Sequence, residues 1–145
     1  MNIIGHGIDI VNVRCIEKLV ALLGECVERQ YLTAAELNAA GFRSNRFQYL
    51  ASRLAAKKAV FKALGGDGKQ SISWQEIEIQ RLPTGEPSVM LYATALEIAA
   101  KRGITRWLLS ISHTRSYATA SAIALQTKAM PSESETTYYS SRQGD

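Results

Sequence analysis

Lys58 and Lys62 stand four residues apart, a spacing that puts two ammonium groups on one face of any helix that contains them. Like charges so placed repel by roughly 0.2–0.5 kcal/mol, a cost that a bound anion turns into attraction. Ala51 and Ala55 share that face and leave room for close approach of a ligand, while Leu50, Leu54, Phe61 and Leu64 form an apolar stripe to one side. By spacing alone, the two lysines either solvate an exposed face or hold an anion. Asp9 lies between Ile8 and Ile10, where burial disfavours its charge unless a cation or hydrogen bonds compensate. It reads either as a structurally bonded acid or as a metal ligand. His113, between Ser112 and Thr114, fits a surface residue, a hydrogen-bonded core histidine or a general base. The run Gly65-Gly66-Asp67-Gly68 offers backbone N–H groups to phosphate oxygens, but it follows a helix, whereas the usual phosphate loop precedes one.

The elements that must hold these residues can be read from periodicity and punctuation. Ile3 to Val13 is rich in Ile and Val and predicts a strand, with Gly5 and Gly7 marking a backbone that something approaches closely. A helix is expected from about Arg14 to Arg29. Thr33 with Glu36 forms a capping box for a short helix that Gly41 ends, and the longest helix runs from about Ser44 to Leu64. Ser71 to Leu82 carries Ile72, Trp74, Ile77 and Ile79 with a one-residue phase slip, which predicts a strand with a bulge. The turn Pro83 to Pro87 leads into a short strand from Ser88 to Leu91. A helix from Tyr92 to Arg102, closed by Gly103, and strands at about Arg106 to Ser112 and Tyr117 to Leu125 complete an α+β domain with a largely antiparallel sheet packed with the long helix.

With 145 residues, 46% of them hydrophobic, the chain supports one sizeable core. We read one domain over 1–127. The segment 128–145 holds only Tyr138 and Tyr139 as large apolar groups and predicts a disordered tail. A net charge of +4 and a pI near 9.2 favour an anionic partner such as a phosphate-rich ligand, an acidic protein or nucleic acid. Cys15 and Cys26 lack metal-ligand spacing and read as two free buried thiols. Met1 to Val11 has no signal-peptide character and no apolar run is long enough to span a bilayer, which predicts a cytoplasmic protein without a membrane contact.

Taken together, Gly7-Ile8-Asp9-Ile10-Val11, then Arg53-Leu54-Ala55-Ala56-Lys57-Lys58-Ala59 with Lys62-Ala63-Leu64-Gly65, then Ser110-Ile111-Ser112-His113-Thr114, resemble three successive signatures of the bacterial holo-acyl-carrier-protein synthases. Ile72 to Ile79 and the Gly85-Glu86-Pro87 turn are similar to that family's central strands, so the resemblance spans about Ile3 to Leu125. It implies the 4′-phosphopantetheinyl transferase fold. It also implies transfer of the 4′-phosphopantetheine arm of coenzyme A to a serine of an apo-acyl carrier protein, in a homotrimer with active sites between neighbouring subunits. By the same resemblance, Asp9 and a glutamate at the position of Lys58 hold magnesium, Lys62 meets the reacting phosphate, and Arg53, Gly65, Gly66, His113 and Thr114 contact coenzyme A. Asp9, Lys62 and His113 are then the expected catalytic group.

Four positions depart from that pattern. Lys58 stands at the metal-ligand glutamate, and a protonated ammonium has no lone pair for magnesium. Cys15 replaces a usual arginine that meets the carrier protein, Asn12 a common glutamate and Glu86 a common lysine, with Arg14 positioned to compensate for the first. Three readings follow: a working transferase, a catalytically impaired relative that binds coenzyme A or a carrier protein, and a basic nucleic-acid-binding domain. The last has no recognised motif or aromatic platform behind it.

Overall fold

Alternation along the first strand decides where the site lies. In β1 (Asn2–Asn12) the odd positions Gly5, Gly7, Asp9 and Val11 turn to one side, whereas Ile8 and Ile10 turn to the other and are exposed. Residues 1–41, 43–65, 71–127 and 143–144 are described by this computed structural model. Against the odd face lies the longest helix, α4 (Arg46–Ala63), built mainly of the strong helix formers Ala, Leu, Lys, Arg and Gln. Contact there is closer than side chains allow. A Cβ on Gly5 would fall 2.0 Å from the Ala63 carbonyl oxygen, and one on Gly7 would fall 2.0 Å from that of Ala59. The glycines expected to mark a close approach therefore receive this helix.

Small residues continue the same interface. On β5 (Tyr117–Gln126), alternate positions Ala118, Ala120, Ala122 and Ala124 are buried, as are Ala51, Ala55, Ala56, Ala59 and Ala63 of α4. The room that Ala51 and Ala55 leave, which permitted but did not require a ligand's approach, is taken up in the protein core. The strands pair antiparallel in the order β1-β5-β4, with β4 spanning Arg106–His113. A two-residue β6 (Gln143–Gly144) adds parallel to β4 at Trp107 and Leu108. The rest of the expected disordered tail lies outside the described residues.

Around this layer sit α1 (Val13–Leu23), α2 (Glu25–Tyr31), α3 (Ala34–Ala40), a second antiparallel sheet of β2 (Ile77–Arg81) and β3 (Pro87–Leu91), and α5 (Ala93–Lys101). The α+β class stands, with two sheets in place of the one expected. The capping box forms as read: Thr33 Oγ1 accepts from the Glu36 backbone N–H, and Glu36 Oε1 accepts from that of Thr33.

Glu36 does more than cap α3. Its fully buried carboxylate also accepts from Lys57 Nζ at 2.7 Å and from the Ile79 backbone N–H at 2.8 Å, tying α3, α4 and β2 together. Arg46 binds both oxygens of Glu28 at 2.8 Å and fastens α2 to the start of α4.

Three expectations need correction. The helix from Arg14 to Arg29 is two helices, broken at Gly24, whose φ of 75° is a conformation that L side chains rarely adopt. Ser71 to Leu82 is strand only from Ile77. Trp74–Glu76 forms a 3₁₀ turn held by the Ser73 backbone N–H on Glu76 Oε2, and that turn, not a bulge, causes the phase slip. Cys15 and Cys26 are free as expected but exposed, because the short helices carrying them bury other faces.

Candidate active site

Because Asp9 shares the helix-facing side of β1 with Gly7, it comes within reach of α4. Lys62 Nζ donates to the Ile8 carbonyl oxygen at 3.0 Å and lies 3.7 Å from Asp9 Oδ2, while Asp9 Oδ1 accepts from the Ile10 backbone N–H at 2.8 Å. The cation and hydrogen bond that the apolar surroundings of Asp9 demanded are both present. Thr119 Oγ1 donates to the Asp9 carbonyl and fixes the strand there. Lys62 remains 55% exposed, so its ammonium is open to a ligand.

One turn before Lys62, Lys58 borders a groove of about 270 Å³ with Ile10, Asn12, Cys15, Leu19, Tyr31 and Leu54 among its walls. Lys58 has neither a hydrogen bond nor an ion pair with the described residues. Glu28 also reaches this groove, but both its oxygens are held by Arg46.

Arg53 and His113 meet elsewhere, in a pocket of about 450 Å³ that also contains Arg43, Tyr49, Arg81, Gly85 and Pro87. Among the described residues its walls include three guanidinium groups and no carboxylate. The guanidinium carbons of Arg43 and Arg53 lie 4.9 and 4.6 Å from the Tyr49 ring centroid. Arg53 is only 2% exposed, and its Nε has no hydrogen-bond partner among the described residues. A buried cation with a donor to spare is costly unless an anion meets it, so the chemistry of this pocket suits an anionic ligand.

Sequence reasoning missed Arg43, Tyr49 and Arg81 here. The four-residue spacing of Tyr49 and Arg53 was the available signal; Arg81 reaches the pocket only through the pairing of β2 with β3.

Arg53 and Lys62 are nine residues apart on one helix, about two and a half turns, which sets them on opposite faces and roughly 13 Å apart along the axis. The expected site residues thus fall into two groups within one chain: Asp9, Lys62 and Lys58 on one face, Arg53 and His113 on the other. Gly65 follows α4 with a φ of 77°, close to Arg102, whose guanidinium donates to the Ala63 carbonyl. Thr114 is occupied in the β4–β5 turn, where its Oγ1 accepts from the Ser116 and Tyr117 backbone N–H groups. Gly66 lies outside the described residues.

The chemistry of the donor set does not fit a magnesium ion held by two carboxylates. Lys58 provides no oxygen, and among the described residues there is no group of three or more His, Cys, Asp or Glu side chains able to hold a metal. Nor is any described helix long and apolar enough to cross a membrane.

Comparison with known proteins gives a consistent answer. Residues 5–122 match the 4′-phosphopantetheinyl transferase superfamily. A holo-[acyl-carrier-protein] synthase of Desulforudis audaxviator is 41% identical over 133 residues, covering 92% of this chain and 98% of that protein. The crystal structure of the Neisseria meningitidis synthase superposes with a TM-score of 0.77 at 32% identity, over 86% of this chain and 100% of the other. That of the Helicobacter pylori synthase in complex with coenzyme A superposes with a TM-score of 0.70 at 26% identity, over 83% and 99%.

Proposed function

The chain belongs to the 4′-phosphopantetheinyl transferase superfamily as a holo-acyl-carrier-protein synthase, and from that premise we propose how its residues move the 4′-phosphopantetheine arm of coenzyme A onto a serine of an apo-acyl carrier protein. The serine hydroxyl attacks the β-phosphorus. A new P–O bond forms to the serine, the diphosphate bridge breaks, and adenosine 3′,5′-bisphosphate leaves with the electron pair while the hydroxyl proton passes to Asp9 or to water. Charge gathers on phosphate oxygens during this step, and the Lys62 ammonium stabilises it electrostatically. Asp9 orients Lys62, which it faces at 3.7 Å. The phosphorylated adenosine end belongs with Arg53, Arg43, Tyr49 and His113; the buried Arg53 Nε, without a hydrogen-bond partner among the described residues, supports this assignment.

The observation that carries the reading is the opposition of Arg53 and Lys62 across α4. One molecule of coenzyme A bridges both groups only if they come from different subunits, in keeping with a homotrimer whose sites lie at subunit boundaries. Ile8 and Ile10, 59% and 63% exposed on the outward face of the sheet, give such an assembly an apolar surface to cover. A cytoplasmic setting suits the two free, exposed thiols. The Lys58 substitution favours one second reading, a relative that binds coenzyme A or a carrier protein without turnover.

Mass spectrometry of an apo-acyl carrier protein incubated with coenzyme A and either the native chain or Lys58→Glu separates the two. The phosphopantetheine mass is expected on the carrier with the native chain. Transfer by Lys58→Glu alone would make the native protein a binding relative, and transfer by neither would overturn the assignment.

A further inference from the structure

We propose that this chain grips the diphosphate of coenzyme A between two ammonium groups, Lys58 and Lys62, and requires no divalent cation to do so; the inference rests on the transferase reading above. Both lysines project from α4 toward β1, one turn apart. Lys62 reaches the Ile8 carbonyl and Asp9, while Lys58, four residues earlier on the same side of the helix, borders a groove that Ile10 and Asn12 help to wall.

Their partners differ in a telling way. Lys62 is partly neutralised by Asp9. Lys58 has no hydrogen bond or ion pair among the described residues, although it is only partly exposed and stands beside apolar walls. An uncompensated cation in such a place repels a second cation and attracts an anion. A diphosphate diester, with one negative charge per phosphorus, suits two ammonium groups four residues apart on one helix.

A divalent ion finds no comparable welcome. It needs oxygen donors, and among the described residues the nearby carboxylates are Asp9, which faces Lys62, and Glu28, whose two oxygens are both bound by Arg46 at 2.8 Å. Lys58 thus supplies as a fixed charge what a metal would supply as a bound one.

Calorimetric titration of the full chain with coenzyme A and, separately, with adenosine 3′,5′-bisphosphate, each in magnesium and in EDTA, tests this. Coenzyme A should bind the native chain with affinities that agree within about twofold in the two buffers. Lys58→Met should weaken coenzyme A by about tenfold or more in EDTA, the loss expected for one charge-assisted contact, and weaken adenosine 3′,5′-bisphosphate less, because that molecule keeps only one of the two bridged phosphates. Coenzyme A binding that collapses in EDTA while adenosine 3′,5′-bisphosphate still binds would overturn the inference and leave the transferase reading intact. So would a Lys58→Met chain with native affinity. If the native chain binds neither ligand in either buffer, both fall together.

Discussion

Replacing Gly7 by alanine tests whether the contact of β1 with α4 is what builds the site. The added Cβ falls 2.0 Å from the Ala59 carbonyl oxygen and 2.9 Å from the Ala63 nitrogen, both backbone atoms, so no side-chain rotation relieves it. Restoring the 3.4 Å of ordinary contact with that oxygen requires strand and helix to part by about 1.4 Å. Overpacking of this kind costs about 1–3 kcal/mol. The Lys62 bond to the Ile8 carbonyl, 3.0 Å in the native chain, does not survive such a separation, and its loss adds about 1 kcal/mol. Urea unfolding should therefore show a stability loss of about 2–4 kcal/mol, a midpoint lowered by roughly 1–2 M at unchanged slope. Gly5→Ala makes the same 2.0 Å contact with the Ala63 oxygen and should lose a similar amount from packing alone. Either substitution leaving stability within about 0.5 kcal/mol of native would refute the packing argument.

Lys57→Met leaves the Glu36 carboxylate buried with two backbone donors at 2.8 Å, so denaturant unfolding should register a loss near the lower end of the usual range for a broken buried pair, about 3 kcal/mol; a loss below about 1 would contradict it. Burial holds the Lys57 ammonium below the ordinary lysine value of 10.5, against the opposing pull of Glu36 and Glu78. The folded chain then releases that proton at lower pH than the unfolded chain does. The stability advantage of native over Lys57→Met should accordingly grow as pH rises toward 10.5, and an advantage that shrinks over that range would show that the ion pair outweighs burial. Arg53→Met removes a buried donor that lacks a partner among the described residues, so the melting temperature should hold or rise while calorimetry shows coenzyme A and adenosine 3′,5′-bisphosphate both weakened about tenfold or more. A destabilised variant with native affinity would reverse the assignment.

Where local chemistry dictates structure, the sequence was legible. Thr33 and Glu36 cap their helix through contacts three residues apart, Gly41 ends it, and Gly5 and Gly7 announce the close approach that α4 makes. Ser73 and Glu76 show the same three-residue spacing, and heeding it would have revealed the 3₁₀ turn that periodicity obscured. Long-range pairing was not legible. Lys57 looks like a surface lysine beside Lys58 until α3 brings Glu36 to it from 21 residues away. The same holds for Arg81, which reaches Arg53 and His113 only through the fold. The two groups of candidate residues came from motif resemblance, yet the opposition of Arg53 and Lys62 across α4 follows from helix geometry alone, since nine residues make two and a half turns.

The most direct test of the account is complementation between subunits. Lys62→Ala and Arg53→Met chains are coexpressed, purified together as mixed assemblies, and assayed for transfer of phosphopantetheine to an apo-acyl carrier protein, beside each variant alone. If every site takes Lys62 from one subunit and Arg53 from its neighbour, random mixing leaves about a quarter of the sites with both groups intact, and activity should return to about that fraction of native. Mixed assemblies no more active than the better single variant would mean that Lys62 and Arg53 serve the same site from one chain, and the inter-subunit account would be wrong.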